Sequence, residues 1–331
     1  MGVRSFEIEV PTPFRLDLTV WALRRRPHNE VDRFDGTSYR RTLAMGGRPV
    51  ELRVRQKPET GTPVLAVELR AVGAAPSNRR VTEARRVLEA MLGLGVDLEG
   101  FYRLAEHDAR LCTLAQRFVG VRPPRFPSVF EAVVNAIACQ QLSLIVGIHL
   151  LNRLAQRYGP VTGAPDGAAG FPTPEGLAGA NPEDLRDLGF SRSKASAVTT
   201  LAHRVATGDL DLEALHHADD DQAIATLLGL SGIGRWSAEY TLLRGLGRLH
   251  VLPGDDVGAR NNLQKRFGLD PSGGYDAIAE LSRSWAPYGG LLYFHLLLDS
   301  LATAGHVTAT ATPLKAPPRR RPGARGRREA R

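Results

Sequence analysis

The sequence has few cysteines and no long apolar segment. Cys112 and Cys139 are the only cysteines among 331 residues, so the chain cannot build a disulfide framework or a four-cysteine zinc or iron–sulfur site. The longest apolar run, residues 291–298, is interrupted by His295 and is too short to span a bilayer. The N-terminal residues lack the apolar core of a signal peptide. We therefore expect a cytoplasmic protein without a membrane segment.

A large excess of one charge is also absent from most of the chain. The formal net charge is +8, but residues 310–331 contain eight basic residues and one acidic residue. The rest of the chain is therefore nearly neutral, and a basic surface must be argued from local clusters. Because the prolines and arginines of 310–331 cannot bury a core, we predict a disordered basic tail there.

Residues 1–97 have the patterns of a small mixed α/β domain. Alternating apolar residues at 50–54 and 64–68 predict two antiparallel strands. Apolar residues between 81 and 92 recur at helical spacing, which predicts a helix. Residues 14–21 fit a strand by their alternation and a helix by the proline that precedes them, and both interpretations stay open.

Residues 98–309 carry helical patterns throughout and predict an all-α second domain. The fold class is therefore α+β, with a small antiparallel unit followed by helices. The spacing at 128–131 is typical of a capping box that begins one helix, and Ser143 predicts the start of the next. Gln140 and Gln141 form a polar pair at the junction between these two helices.

A glycine-rich turn, Leu230-Ser231-Gly232-Ile233-Gly234, follows a helix predicted over 219–228 and precedes a helix that begins at Arg235. Two glycines flanking one apolar residue let the backbone approach another backbone closely. The following helix offers free N–H groups that suit a phosphate. We predict a helix-hairpin-helix over 219–245, although the pattern also fits an ordinary αα-hairpin turn.

Two further features lie close to this turn. Trp236 and Tyr240 are four residues apart on the following helix, and the loop 252–256 leads into a helix that ends at Phe267. Taken alone, such an aromatic pair is typical of core packing, and a loop carboxylate is typical of an N-cap. Their combination beside a phosphate-binding hairpin indicates a nucleic-acid site.

Residues 228–267 resemble the core of the helix-hairpin-helix DNA glycosylases, and within them the alkylation-repair branch, 3-methyladenine DNA glycosylase II. The resemblance extends to residues 130–143, 185–194 and 285–288. It implies an enzyme that flips alkylated purines such as 3-methyladenine out of duplex DNA. Such an enzyme hydrolyses the N-glycosidic bond and leaves an abasic site for base excision repair.

The resemblance also implies roles for individual residues. Asp256 corresponds to the catalytic carboxylate, and Asp255 is its neighbour, for which a helix-capping role stays open. An electron-poor alkylated base is attracted by electron-rich aromatic faces. The residues implied to line its pocket are Trp236, Tyr240 and Trp285.

Contacts with DNA are implied at the helix junction and at the hairpin. Gln141 occupies the position of the residue that wedges into the duplex, and Gln140 and Ser143 support that junction. The hairpin residues implied to contact DNA are Gly232, Ile233, Gly234 and Arg235. A monovalent cation, Na⁺ or K⁺, held by the carbonyls of Leu230 and Gly232 is the one cofactor implied. The expected partner is double-stranded DNA containing alkylated bases, bound by a monomer.

Two absences narrow the expected activity. Relatives that also cut the strand carry a Schiff-base lysine two residues after the second hairpin glycine, where this chain has Trp236. Other branches carry a four-cysteine iron–sulfur cluster, and residues 257–331 contain no cysteine. A monofunctional glycosylase without lyase activity is therefore expected. A non-enzymatic damage-binding protein and a glycosylase for oxidised purines stay open as alternatives.

Overall fold

The computed structural model describes residues 1–58, 61–163, 168–270 and 274–309. In these ranges all strands lie within the first 71 residues and helices dominate the remainder, which confirms the α+β fold class. The predicted disordered tail, residues 310–331, lies outside the described residues. No helix in the described ranges is both long and apolar enough to cross a membrane.

The N-terminal strands form one antiparallel sheet with the order β1-β5-β4-β3-β2. Its strands are β1 (Gly2–Glu9), β2 (Arg33–Phe34), β3 (Ser38–Met45), β4 (Arg48–Gln56) and β5 (Val64–Ala71). The two strands predicted at 50–54 and 64–68 are confirmed as β4 and β5. Along β5 the buried face carries Leu65, Val67 and Leu69, while Val64, Ala66 and Glu68 are only partly buried.

Two helices accompany this sheet, α1 (Leu16–Arg24) and α2 (Asn78–Met91). The segment 14–21, which fitted both a strand and a helix, is largely helical. Leu16, Val20 and Leu23 recur at helical spacing and pack in the same buried cluster as the apolar face of the sheet. The helix predicted over 81–92 is confirmed as α2.

The rest of the described chain is helical. Its helices are α3 (Glu99–Glu106), α4 (Ala109–Arg117), α5 (Val129–Cys139), α6 (Leu144–Tyr158), α7 (Pro174–Leu177), α8 (Pro182–Asp187), α9 (Arg192–Ala206), α10 (Asp220–Leu228), α11 (Arg235–Arg244), α12 (Val257–Phe267), α13 (Gly274–Ser284) and α14 (Gly289–Thr303). Ser143 caps α6 as predicted, since its hydroxyl accepts from the backbone of Val146. Ser128 likewise caps α5.

The second half of the capping box at 128–131 is replaced by a buried ion pair. The carboxylate of Glu131 bonds to Arg41 Nη2 at 2.5 Å instead of turning back to Ser128. Arg41 Nη1 also donates to Asp32 at 2.6 Å, and all three charged groups are buried. Glu131 therefore ties β3 to α5, a tertiary role that its spacing from Ser128 did not reveal.

The sheet and the helices share their cores across the predicted domain boundary at residues 97 and 98. Phe126, Ala136 and Tyr240 pack in one buried cluster with the sheet. Leu18 and Ala22 of α1 pack with α14 in another. Residues 1–97 are therefore built against the helical part, and elements of both parts can contribute to one site.

Candidate active site

The hairpin joins α10 to α11 as predicted. Gly232 has a φ of +79°, a left-handed conformation that favours glycine, and a Cβ there would lie 3.0 Å from the Cβ of Ala197. A Cβ on Gly234 would meet nothing within 4 Å. The backbone that begins α11 at Arg235 is thus open to an approaching group at the positive end of the helix.

The loop after α11 places one carboxylate at the start of α12. Asp256 is the N-cap of this helix, and its Oδ1 accepts from the backbone of Ala259 at 2.8 Å. Asp255 is exposed, so the capping role that stayed open for it belongs to Asp256. Because one carboxylate oxygen satisfies the cap, the other is left to interact across the site.

That second oxygen meets a residue that the sequence analysis missed. Tyr293 of α14 donates its hydroxyl to Asp256 Oδ2 at 3.4 Å. Burial, together with the negative charge of Asp256, holds the pKa of Tyr293 well above 10, so the hydroxyl stays protonated as a donor. A tyrosine inside the apolar run 291–298 was the available signal, but a run so apolar indicated only a core helix.

The aromatic pair on α11 forms two layers. The rings of Trp236 and Tyr240 lie 5.2 Å apart with an interplanar angle of 32°. Trp236 is half-buried, whereas Tyr240 is 2% exposed. Within the described residues the indole N–H of Trp236 has no acceptor. Trp236 is therefore the face presented to a ligand, and Tyr240 is the layer behind it.

Trp285 is not brought to this site, which corrects its predicted place in the base pocket. It is 3% exposed and packs with Phe267 at a ring distance of 4.8 Å. Its indole N–H points to Asp108, 3.5 Å away. The buried cluster around it includes α4, α12 and α14 residues, whereas Tyr240 packs with the sheet.

The helix junction is bonded directly to the hairpin. The side-chain amide of Gln140 donates to the carbonyl of Gly232 at 2.7 Å and to Ser237 Oγ at 2.6 Å. Lys194 donates to the carbonyls of Ala138 and Gln140 at 3.1 and 2.6 Å. Gln140 is thus a link between the two predicted DNA-binding segments.

Gln141 lies in the turn between α5 and α6 and faces solvent. It has a φ of +52°, a conformation that few residues other than glycine adopt, and it is exposed. Leu142, Ile145 and Val146 beside it are 42%, 50% and 44% exposed. An exposed apolar group of this kind is typical of an interaction surface, and it flanks the predicted wedge.

Similarity to known proteins agrees with this arrangement. Residues 134–287 match the sequence profile of the HhH-GPD superfamily of base excision DNA repair proteins. Over this segment the chain is similar to that superfamily. A putative DNA-3-methyladenine glycosylase of Bacillus subtilis (strain 168) is 27% identical over 283 residues, which cover 85% of this chain and 94% of that protein.

Other relatives carry the same name. DNA-3-methyladenine glycosylase 2 of Escherichia coli (strain K12) is 33% identical over 178 residues, 54% of this chain and 60% of that protein. The solved structure of a 3-methyladenine DNA-glycosylase from Archaeoglobus fulgidus is similar with a TM-score of 0.77 and 28% identity. The match covers 88% of this chain and 97% of that one, so the likeness includes the N-terminal sheet.

In this chain a buried glutamate connects the hairpin helix to the loop that carries Asp256. Glu239 accepts from the backbone N–H of Gly254 at 3.2 Å and from the hydroxyl of Tyr275 at 2.7 Å. Arg235, one of the predicted DNA contacts, donates to the same carboxylate at 3.1 Å. Its guanidinium carbon lies 3.4 Å from the centre of the Tyr275 ring. Arg235 is therefore held at the hairpin by a carboxylate and an aromatic face.

The two carbonyls predicted to hold a monovalent cation already accept hydrogen bonds. The backbone of Ile233 donates to the Leu230 carbonyl at 3.2 Å, and Gln140 occupies the Gly232 carbonyl. Each carbonyl oxygen has a second lone pair, and such hard oxygens suit Na⁺ or K⁺, so the cation stays a prediction. Across the described ranges no three His, Cys, Asp or Glu side chains are grouped as metal ligands.

Proposed function

We propose that the chain is a monofunctional DNA glycosylase that releases alkylated purines such as 3-methyladenine from duplex DNA. It acts as a monomer in the cytoplasm, hydrolyses the N-glycosidic bond and leaves an abasic site. The observation that carries the proposal is the position of Asp256. This carboxylate starts α12, bonds to Tyr293 and contributes to the electrostatic environment of Tyr240, the partner of Trp236.

Recognition begins with removal of the base from the helix stack. A base inside a duplex is inaccessible, and flipping it costs a few kcal/mol, least for a damaged pair. Gln141 fills the space that the base leaves, with the exposed apolar residues next to it against the duplex. The open N–H groups at the start of α11 hold a phosphate, and Arg235 lies beside them. When DNA is bound, Leu230 and Gly232 supply carbonyls to a monovalent cation.

Asp256 stabilises the charge that develops as the bond breaks. Departure of the base leaves cationic character on the sugar. An ionised carboxylate about 4 Å away stabilises that charge by about 4 kcal/mol at an effective dielectric of about 20. The same carboxylate can orient the attacking water and accept its proton. The exposed face of Trp236 stacks on the electron-poor base.

The described residues of the site support base release without lyase chemistry. Trp236 stands where strand-cutting relatives carry lysine. The ammonium of Lys194 is engaged with two backbone carbonyls of α5 and the following junction. A Schiff base requires a free neutral amine that can reach the sugar, and this supports the monofunctional proposal.

The test is base release from duplexes that contain 3-methyladenine or 7-methylguanine. We expect free base in solution, and strands that stay intact until alkali or heat cleaves the abasic site. Borohydride should trap no enzyme–DNA adduct. Tight binding of damaged DNA without release of any base would indicate the non-enzymatic alternative. Release of 8-oxoguanine with efficient borohydride trapping would indicate an oxidised-purine enzyme with lyase activity.

A further inference from the structure

A buried arginine next to the aromatic layers forms no salt bridge within the described residues. Arg25 is 3% exposed, and its guanidinium donates to Tyr240 Oη at 2.9 Å and to Asn135 Oδ1 at 2.5 Å. It also lies 3.9 Å from Cys139 Sγ and over the ring of Phe126. In the described part of the chain no carboxylate accepts a hydrogen bond from it. Burying a cation among neutral partners is costly, so its position calls for a function.

The backbone of the same residue is also in an unfavourable state. Arg25 follows the last turn of α1 with a φ of +64°, and the left-handed conformation costs a residue other than glycine about 1 kcal/mol or more. Surrounding structure must therefore hold both the backbone and the side chain of Arg25. Such local costs concentrate at functional sites.

The charge lies directly behind the surface that would face a flipped base. Arg25 contacts the hydroxyl of Tyr240, and Tyr240 stacks beneath Trp236. A base stacked on Trp236 would thus be separated from the guanidinium by two aromatic rings, and the Asp256 carboxylate also acts on Tyr240. At that distance the sign of the charge on the base decides whether the guanidinium attracts or repels it.

Damaged purines differ in this charge when they leave. When the bond from C1′ to the base nitrogen breaks, its electron pair stays with the base. A cationic base such as 7-methylguanine becomes neutral, whereas a neutral base such as hypoxanthine becomes negatively charged. Water then adds hydroxide to C1′. Its proton neutralises the departed hypoxanthine anion, whereas with 7-methylguanine, which leaves neutral, the proton passes to solvent. A fixed positive charge therefore stabilises departure of neutral bases and weakens ground-state binding of cationic ones.

We propose that Arg25, acting through Tyr240, is a positioning residue that shifts the substrate range toward neutral damaged purines. This inference rests on the proposed glycosylase function and adds a substrate class to it. The Arg25 guanidinium fixes the Tyr240 hydroxyl as an acceptor toward the interior, which leaves the hydroxyl proton to orient elsewhere in the site. The positive potential of the Arg25 guanidinium and the Tyr240 hydroxyl proton stabilises the base as it accumulates negative charge.

The experiment compares two substrates in single-turnover assays with saturating enzyme. Arg25→Met should slow release of hypoxanthine by about 15-fold, the effect of one charge about 10 Å away at an effective dielectric of about 20. Release of 7-methylguanine should change by less than about threefold, and its duplex should bind at least as tightly. Arg25→Lys retains the charge and should restore part of the hypoxanthine rate. Tyr240→Phe should shift the ratio of rates in the same direction as Arg25→Met.

A matched control is available in a second buried arginine. Arg122 is 2% exposed and donates to the carbonyls of Pro11 and Val96, away from the aromatic layers. Arg122→Met should lower thermal stability without changing the ratio of the two rates. The ratio is measured on folded protein, so a general loss of stability does not imitate the expected result.

The outcomes separate the inference from the function on which it rests. Equal losses on both substrates in Arg25→Met would show a purely structural role and overturn the inference. An unchanged ratio would overturn it as well, while the glycosylase proposal stands. If the unaltered protein releases neither of these bases and no 3-methyladenine either, the proposed function itself is wrong.

Discussion

Buried charges are partnered differently at the sheet and at the candidate site. Between β3 and α5, Arg41 is paired with Asp32 and Glu131, so each charged group meets one of opposite sign. At the site, Asp256 bonds to a backbone N–H and a tyrosine hydroxyl. Arg25 likewise bonds to neutral groups. The sheet contacts use charge to join elements, whereas Asp256 and Arg25 form no ion pair within the described residues.

This difference has a physical consequence. An ion pair whose charges offset each other produces little electric field at a ligand. Removing one partner leaves the other charge unpaired in the interior. An uncancelled charge acts on whatever enters the site, at the expense of desolvation. We therefore expect substitutions at the sheet to change stability and substitutions at the site to change rate. The predictions below test that separation, beginning with the largest effect.

Asp256→Asn should reduce single-turnover release of 3-methyladenine by about a thousandfold. The substitution removes about 4 kcal/mol of charge stabilisation at an effective dielectric of about 20. Asparagine is also a good N-cap, so the free energy of unfolding should change by less than about 1 kcal/mol. Binding of damaged duplex should survive. The exposed neighbour is the control, and Asp255→Asn should change the rate by less than about threefold. Equal, mild losses in both variants would mean that Asp256 only caps α12.

Arg41→Met should lower the free energy of unfolding by about 4 kcal/mol, because two buried carboxylates lose their shared cation. The rate of base release per folded molecule should stay the same. Urea unfolding measures the first quantity, and active-site titration with single-turnover kinetics measures the second. Arg55→Met, an exposed change on the neighbouring β4 strand, should cost about 0.5 kcal/mol or less. A large fall in rate with little fall in stability would break the proposed separation.

A third kind of buried titratable group, the imidazole of His295, is kept neutral. His295 is 1% exposed, and its Nδ1–H donates to the Leu291 carbonyl at 2.8 Å. Burial lowers its pKa from 6.5 to about 4. The unfolded chain therefore binds a proton more readily than the folded one between these values. The stabilisation that comes from keeping His295 neutral is present in full above pH 6.5 and is lost as the pH falls toward 4.

The expected loss is about 3 kcal/mol over that interval. Urea unfolding at several pH values from 7 to 4.5 measures it. His295→Leu removes the titrating group and should flatten this part of the profile, even if it changes the stability at pH 7. An unchanged slope in His295→Leu would assign the pH dependence to other groups.

The smallest expected effect concerns the junction next to the wedge. Lys194→Met removes the ammonium that holds the Gln140 carbonyl, so Gln141 should be positioned less firmly. We expect release from duplex DNA to fall by about tenfold, or about 1.4 kcal/mol. Release of the same base from single-stranded DNA needs no wedge and should be unaffected. Parallel losses on both DNA forms would place the effect of Lys194 in the general stability of α5.

Local patterns predicted much of the candidate site because the relevant residues are close in sequence. The hairpin at 230–234, the aromatic pair that follows it and the loop ending at Asp256 span fewer than thirty residues. Turn and capping preferences act at this range, so the elements around them could be predicted. Trp285 was misplaced because a tryptophan near a site and a tryptophan in a core look alike in sequence.

Local sequence patterns could not predict contacts between residues that are distant in the chain. Tyr293 reaches Asp256 from 37 residues away, and Arg25 reaches Tyr240 across 215 residues. The partner of Glu131 could not be predicted either. Its spacing from Ser128 indicated a helix cap, whereas its carboxylate pairs with Arg41. Which polar group a buried side chain meets depends on how the helices pack against the sheet.

The sequence by itself determined the α+β succession, the helix starts, the hairpin and the carboxylate at the start of α12, because periodicity, glycine conformation and capping are local properties. Only the tertiary structure decided which charges are cancelled and which are left to act on a ligand. That choice depends on burial and on partners brought together from distant elements, since the free energy of a charge is set by what surrounds it. Arg25 and Arg41 are both arginines near the N-terminus, and packing alone distinguishes them.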